Sequence, residues 1–85
     1  MYKIELRRRA QRALDKLSEP DFKAVIKAVQ ELAQVQRPRG VEKVKNSGLW
    51  RIRKGDYRII YAIDDTHQLI TIVRVGHRRD IYRSF

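Results

Sequence analysis

The most constraining feature of this chain is a change in the spacing of its apolar residues. Residues 2 to 6 alternate between apolar and charged side chains, which is the pattern of a half-buried β-strand. From Ala10 to Ala33 the apolar residues recur every three or four positions, as in amphipathic helices. After Gly48 alternation returns, and Gln68 to Val75 is the most β-branched run. The pattern therefore predicts one strand, a helical segment and several further strands.

The helical segment divides at Ser18-Glu19-Pro20-Asp21. Ser18 is a suitable N-cap, Pro20 fits an early helical position, and the two carboxylates favour the positive end of a second helix. Because the link is so short, the two helices are expected to pack antiparallel as a hairpin.

The second half of the chain contains the remaining strands. Pro38 and Gly40 end the helical region, and residues 41 to 45 are a weak strand candidate. Three stronger candidates follow: Leu49 to Arg53, Tyr57 to Ile63 and Gln68 to Val75. The sequence predicts a single domain over residues 1–85 with the order β-αα-βββ. This is an α+β fold in which a helical hairpin packs on one face of a small, mainly antiparallel four-stranded sheet. The first two strands are expected to be antiparallel if they are neighbours.

Composition limits the partners and the chemistry. The chain has 85 residues, with 20 Lys and Arg against 10 Asp and Glu, for a net charge of +10. Such a charge predicts a polyanionic partner: nucleic acid first, an acidic protein second and an anionic membrane surface third. The absence of cysteine excludes disulfides, zinc ribbons and thiol catalysis. No apolar run is long enough for a membrane span or signal peptide, so a soluble, cytoplasmic protein is expected.

Arginines gather on the sheet face that points away from the helices, which we name the far face. Alternation places Arg51 and Arg53 on this face of one strand and Arg58 on the same face of the next. Arg78 and Arg79, just past the last strand, can reach it. A guanidinium binds phosphate oxygens through two parallel hydrogen bonds. A charged solvent face is common on strands, but these positions lack balancing acids in the expected arrangement, which favours a phosphate site.

Three blocks of sequence, Arg39 to Val44, Leu49 to Tyr61 and Val75 to Tyr82, resemble the RelE/ParE toxins of bacterial toxin–antitoxin pairs, on the RelE side. The resemblance runs over essentially the whole chain and depends on the order and spacing of the blocks. It implies the same β-αα-βββ fold.

The resemblance implies a ribosome-dependent endoribonuclease that cuts mRNA in the decoding site. Arg58 matches the arginine that binds the scissile phosphate, Arg78 the arginine after the strand-end glycine, and Tyr82 the tyrosine near the C-terminus. Substrate binding falls to four basic residues: Arg51, Arg53, Lys54 and Arg79. The best-known members have lysines in place of Arg51 and Arg53, and they often extend further as a C-terminal helix.

Cleavage of this kind has the ribose 2′-OH attack the adjacent phosphate. Arginine stabilises the charge that develops on phosphorus but does not deprotonate near neutrality, so it is no general base. His77 is therefore a hypothetical acid or base, and Tyr82 either stacks on a base or donates a proton. No Asp, Glu and His cluster has metal-ligand spacing, so metal-independent cleavage without a cofactor is expected. The implied partners are mRNA, the ribosome with its rRNA, and an antitoxin protein that covers the basic face.

Three other functions stay open at this point, one of them a degenerate toxin kept as a scaffold. A ParE-like gyrase inhibitor would share the fold without nuclease activity, and a non-catalytic nucleic-acid-binding module would use the arginines only to hold phosphates. The turn at residues 76 to 79, together with Tyr82, favours the nuclease.

Overall fold

The computed structural model describes residues 1–81; Tyr82, a site residue proposed from the sequence, lies outside this range. Its elements in chain order are β1 (Lys3–Leu6), α1 (Arg8–Asp15), α2 (Glu19–Glu31), β2 (Glu42–Val44), β3 (Leu49–Lys54), β4 (Tyr57–Asp64), β5 (Leu69–His77) and α3 (Arg78–Ile81). The fold is α+β, as predicted, with a helical hairpin and a mainly antiparallel sheet. Ser18 occupies the N-cap position of α2, but its side chain makes no capping hydrogen bond.

The sheet has five strands in the order β1-β5-β4-β3-β2, so the prediction of four strands was one short. The additional strand is β2, which falls within the weak candidate at residues 41 to 45 and pairs antiparallel with β3, Glu42 opposite Arg51. A strand of three residues has too few positions to show an alternating pattern, and it becomes recognisable only through its partner.

The first strand lies at the edge of the sheet opposite β2. β1 pairs parallel with β5, with Ile4 opposite Ile70 and Leu6 opposite Ile72, and it is not a neighbour of β3. The expected antiparallel pair required the first two predicted strands to be neighbours, and that condition is not met. Local periodicity identifies a strand and its buried face but carries no information on which distant strand will pair with it.

The core lies between the helical hairpin and one face of the sheet. α1 contacts β5, and α2 contacts β3. The core cluster is formed by Ala10, Leu14, Val25, Ala28, Val29, Leu32, Ile52, Ile59, Tyr61, Ile70, Ile72 and Val75. The apolar faces of α1 and α2, predicted from residue spacing, thus form one side of the core. The alternating positions of β3, β4 and β5 form the other side.

A β-bulge in β5 changes which of its residues reach the core. Ile60 pairs with Arg74 and Tyr61 pairs with Ile72, so Val73 is left as the extra residue. Ile72 and Val75 consequently both join the core cluster, whereas Arg74 is opposite Ile60, outside that cluster. Without the bulge, two positions three residues apart would point to opposite faces.

The far face is partly covered at one end. Gly76 pairs with Arg58, and a Cβ built on Gly76 would lie 3.1 Å from Ile81 Cδ1. Ile81 is fully buried, and α3 contacts both β5 and β4. The basic segment that follows Gly76 therefore begins as a helical turn packed on the sheet. Among the described residues, no helix is long and apolar enough to span a membrane.

Candidate nucleic-acid interface

Arg51 and Arg53 share the far face with an acid that the sequence analysis did not place there. Arg51 Nη2 lies 3.2 Å from Glu42 Oε2, and Arg53 Nε lies 3.6 Å from Glu42 Oε1. The expectation that these arginines lack a balancing acid was therefore wrong. Since Glu42 reaches this face from β2, its position could not be known before β2 was recognised as a strand. A phosphate that binds here must compete with one carboxylate for two guanidinium groups.

Arg58 is buried, with only 8% of its surface exposed. Its Nη1 donates hydrogen bonds to the carbonyl oxygens of Gly55, at 3.0 Å, and Tyr57, at 2.9 Å. Its Nε is buried without a hydrogen-bond partner. Part of the guanidinium thus supports the β3–β4 turn, and an unsatisfied buried donor of this kind costs about 1–3 kcal/mol. An anion that reaches Nε would remove that cost.

Arg78 and Arg79 are exposed cations on the α3 side of this turn. The Arg78 amide donates to the carbonyl oxygen of Asp56 at 2.8 Å, and Arg78 Nε lies 3.7 Å from Asp56 Oδ1. The Arg78 side chain is 55% exposed, and Arg79 is also exposed. A long, exposed ion pair contributes little to stability, so the Arg78 guanidinium is accessible to a phosphate.

The two-residue β3–β4 turn contacts both Arg58 and Arg78. Gly55 has a φ of 58°, and Lys54 and Tyr57 close the hairpin on either side of it. The carbonyls of three consecutive residues, 55 to 57, accept hydrogen bonds from the Arg58 side chain and the Arg78 amide. The β3–β4 turn therefore fixes Arg58 relative to the start of α3.

His77 lies on the helix side of the sheet. It pairs with Tyr57, and the two rings meet edge to face with centroids 5.7 Å apart. His77 Nδ1 accepts a hydrogen bond from the Arg79 amide at 3.2 Å. The Tyr57 hydroxyl donates to Asp21 Oδ2 at 3.1 Å, and burial together with this carboxylate raises the Tyr57 pKa. In this position His77 supports α3 and does not face the buried side of Arg58.

Lys54 also belongs to the helix side. It is opposite Tyr57 in the β3–β4 ladder and lines, with Asp21 and His77, a pocket of about 460 Å³. The structure therefore divides the proposed site residues in two. Arg51, Arg53 and Arg58 lie on the far face, with Arg78 and Arg79 at its end, whereas Lys54 and His77 lie on the other side of the sheet.

Sequence reasoning missed Arg74. Its backbone is opposite Ile60, in the row of β4 that includes Arg58. Burial lowers the Arg74 pKa, and the positive charge of Arg9 lowers it further. The β5 bulge conceals this residue from an alternation pattern, although a polar residue inside a β-branched run was a signal that the alternation changes there.

The far face can bind and stabilise negative charge. It presents guanidinium groups from β3, β4 and α3, and the carboxylates of Glu42 and Asp56 lie beside some of them. Within residues 1–81, no group of three or more His, Asp and Glu side chains is placed to hold a metal ion. The chemistry available from the described side chains on this face is therefore electrostatic stabilisation of a phosphate.

Comparison with known proteins agrees with this fold. A family model described as the ParE toxin of the type II toxin–antitoxin system, parDE, matches residues 4–82. Toxin RelG of Mycobacterium tuberculosis is 51% identical over 37 residues, which are 44% of this chain and 42% of RelG. The match therefore spans less than half of that curated relative.

Two solved structures match over nearly the whole chain. The M. tuberculosis toxin–antitoxin complex RelBE2 contains a chain with 33% identity and a TM-score of 0.80, with 93% of both chains covered. A chain of the archaeal RelE–RelB complex from Pyrococcus horikoshii has 26% identity and a TM-score of 0.81, with coverage of 93% of this chain and 97% of that one. Taken with the family match over residues 4–82, these similarities show that the chain belongs to the ParE toxin family of type II toxin–antitoxin systems, with RelE toxins among its relatives.

Proposed function

We propose that this toxin is a ribosome-dependent endoribonuclease that cuts mRNA in the decoding site. The proposal rests on one observation: the β3–β4 turn contacts both Arg58 and the start of α3. It brings together the Arg58 guanidinium, whose Nε has no hydrogen-bond partner, and the accessible guanidinium of Arg78. The likeness to RelE chains supports a substrate with a phosphodiester backbone. The ribosome supplies such a substrate in a fixed position.

The proposed reaction is an internal transfer at phosphorus. The ribose 2′-oxygen forms a bond to the adjacent phosphorus as the bond to the 5′-oxygen breaks, which leaves a 2′,3′-cyclic phosphate and a 5′-hydroxyl. The 2′-OH loses a proton, and the leaving oxygen gains one. Arg58 and Arg78 stabilise the charge on the phosphoryl oxygens, each contributing about 3 kcal/mol by comparison with single oxyanion donors. Arg51, Arg53 and Arg79 hold neighbouring phosphates.

The proton transfers need groups other than arginine. Arginine stays protonated, so the described far face offers little general base catalysis. Most of the acceleration must then come from holding the 2′-oxygen, phosphorus and leaving oxygen in line, which explains a requirement for the ribosome. His77, on the helix side, holds α3 through the Arg79 amide, and Lys54 is a peripheral cation. Stacking on a base or donation of a proton by Tyr82 stays a prediction.

The test uses programmed ribosomes carrying an mRNA with or without a 2′-deoxy substitution at the cut codon. We expect 5′-hydroxyl ends from the native mRNA and no cut at the substituted codon. Arg78→Ala should slow cleavage about 10²-fold, whereas Lys27→Ala, on the exposed side of α2, should not change it. Cleavage at the full rate by a folded Arg78→Ala variant would refute the assignment. The rate should also survive metal chelation under conditions that keep the ribosome intact.

Inhibition of DNA gyrase is a second candidate, because the family model that matches is described as a ParE toxin. A purified protein that blocks DNA supercoiling but leaves ribosome-bound mRNA whole would establish that function instead. A protein that binds RNA without producing ends would be a non-catalytic binder.

We further propose that a partner antitoxin neutralises this toxin in the cytoplasm. The relative in RelBE2 belongs to a toxin–antitoxin complex, and the archaeal relative is in complex with RelB. A net charge of +10 favours an acidic partner.

A further inference from the structure

The side chain of His77 holds the start of α3 through one ring nitrogen. Its Nδ1 lies 3.2 Å from the amide nitrogen of Arg79. A backbone N–H can only donate a hydrogen bond, so Nδ1 is the acceptor and the imidazole is neutral, with its proton on Nε2. This contact therefore exists in only one charge state of the histidine.

Protonation of His77 removes the contact. In the imidazolium both ring nitrogens carry a proton, so Nδ1 would present an N–H to the N–H of Arg79, and two donors cannot bond. The added positive charge would also lie at the beginning of α3, where a helix favours negative charge. Both effects oppose the packed position of α3.

Other contacts of α3 with the sheet come from its two ends. The Arg78 amide donates to the carbonyl oxygen of Asp56 at 2.8 Å. The fully buried Ile81 packs against Gly76, where a Cβ would lie 3.1 Å from Ile81 Cδ1. A short helix depends on tertiary contacts for its stability, so loss of the bond to His77 affects the whole of α3.

The charged and titratable residues around His77 come from several elements. They are Asp21 of α2, Lys54 of β3, Asp56 of the β3–β4 turn, Tyr57 of β4, and Arg78, Arg79 and Asp80 of α3. The carboxylates and the cations in this set are equal in number, so neither sign of charge dominates. Histidine is the side chain whose charge ordinarily changes between pH 5 and 8, and His77 is only half-buried, so it can exchange protons with solvent.

We propose that His77 is a pH-dependent catch for α3. The neutral imidazole holds α3 in place, and protonation on acidification releases the helix from the sheet. Because α3 carries Arg78 and Arg79, its release separates their guanidinium groups from Arg58. The toxin would then lose activity reversibly as the pH falls below neutral. This consequence for activity rests on the proposed nuclease function, whereas the movement of α3 does not.

The first test measures hydrogen exchange in the protein without RNA, by nuclear magnetic resonance, from pH 8 to pH 5. Protection is the exchange rate of an unstructured peptide divided by that of the protein at the same pH, which removes the intrinsic effect of pH. Protection of the Arg79 and Ile81 amides should fall about tenfold as the ring signals of His77 titrate, because one hydrogen bond is lost. Constant protection while the ring titrates would overturn the proposal.

Two substitutions of His77 separate the hydrogen bond from the charge. Asparagine supplies a neutral acceptor, as it does at helix N-caps, so His77→Asn should keep α3 protected at both ends of the pH range. Phenylalanine keeps a ring beside Tyr57 but has no acceptor, so His77→Phe should show low protection at both. A pH dependence of native size in His77→Asn would contradict the catch.

His67 provides the matched control, because it is the other of the two histidines in the chain. It lies in the β4–β5 turn, where its Nδ1 is 2.8 Å from Asp64 Oδ2. His67→Asn makes the same substitution away from α3 and should leave the pH dependence of α3 protection intact. Loss of that dependence in His67→Asn would refute the assignment to His77.

The last test measures cleavage of ribosome-bound mRNA at pH 8 and pH 6. The ribosome and the reacting 2′-OH respond to pH in the same way for every variant, so the informative quantity is the native rate divided by the rate of His77→Asn. This ratio should fall about threefold at pH 6, since a tenfold change in the packing equilibrium changes the packed fraction by less than tenfold. The ratio of the native rate to that of His67→Asn should stay constant.

The two measurements fail in different ways. A constant ratio for His77→Asn, with cleavage present, would overturn control of the site by α3. Absence of cleavage at every pH would instead refute the proposed nuclease function, and the exchange data alone would then decide whether His77 releases α3.

Discussion

The hydrogen bonds of Arg58 are directed into the protein. Its Nη1 bonds two carbonyls of the β3–β4 turn, and only 8% of the residue is exposed. A cation placed in this way contributes to the fold as well as to any phosphate site. Loss of activity in an Arg58 variant therefore has two physical explanations, and stability must be measured beside activity.

We expect Arg58→Ala to lower the free energy of unfolding by about 2 kcal/mol, because it removes charge-assisted hydrogen bonds at a buried position. Urea unfolding followed by circular dichroism measures this. Arg53→Ala is the control, since its ion pair with Glu42 is exposed, and it should change stability by less than about 1 kcal/mol. Equal stability of Arg58→Ala and the native protein would show that the turn does not depend on this side chain.

Tyr61 gives the protein a specific dependence on alkaline pH. Its hydroxyl donates to the Gln36 carbonyl oxygen at 2.7 Å, and burial raises its pKa to about 12 from the ordinary 10. Between these values the unfolded chain loses the tyrosine proton while the folded protein keeps it. Stability should therefore be complete below pH 10 and should fall by about 2 kcal/mol as the pH rises to 12.

The variant Tyr61→Phe isolates this effect. It should be less stable at neutral pH by about 1 kcal/mol, because the hydrogen bond to Gln36 is lost. Its stability should decline less between pH 10 and 12 than that of the native protein, since only the native protein carries the Tyr61 phenol. Parallel pH profiles for the two proteins would contradict the assignment to Tyr61.

At the scale of elements, α3 depends on a glycine in the strand before it. A Cβ at position 76 would meet Ile81 Cδ1 at 3.1 Å, a distance that a small shift of Ile81 can relieve, but the branched side chain of valine is larger. We expect Gly76→Val to displace α3 from the sheet and to lower stability by about 1–3 kcal/mol. Hydrogen exchange of residues 79 to 81 should become faster, while exchange in β4 stays slow.

Thr71→Val is the matched control, because it introduces the same residue elsewhere in β5. It should leave exchange in α3 unchanged. If Gly76→Val also leaves exchange unchanged, α3 is not held by contact between Ile81 and position 76.

Local patterns predict the elements that depend on near neighbours in sequence. The hairpin of α1 and α2 follows from apolar spacing and the break at residues 18 to 21, and alternation places Arg51, Arg53 and Arg58 on one face. The parallel partner of β1, the bulge at Val73 and the position of Glu42 depend on distant pairings, which no local pattern contains. The burial of Arg58 likewise depends on the β3–β4 turn and α3 together. The alternation pattern of β4 alone would indicate that Arg58 is a solvent-exposed cation.

At the scale of the whole molecule, the charge distribution would determine how the toxin holds the RNA that we propose as its substrate. The net charge is +10, but Glu42 offsets part of the charge on β3 and Asp56 lies near Arg78. For about four phosphate contacts on a single strand, the plot of log affinity against log salt concentration should have a slope near −2.8.

Arg78→Ala and Arg79→Ala should each make that slope shallower by about 0.7, which corresponds to one contact. Lys27→Ala removes the same charge from α2 and should leave the slope unchanged. Fluorescence anisotropy with a labelled single-stranded RNA, measured over a range of potassium chloride, provides the test. Equal changes for all three variants would mean that net charge, and not the far face, governs binding.

The parallel pairing of β1 with β5 also determines when during synthesis this sheet can form. β1 is made before every other element, yet its neighbour, β5, is the last strand to be made. A nascent chain that has not reached His77 lacks the strand that joins β1 to β4 and the residues that position α3. The finished arrangement of arginines is thus unavailable to the polypeptide until β5 and α3 have been synthesised.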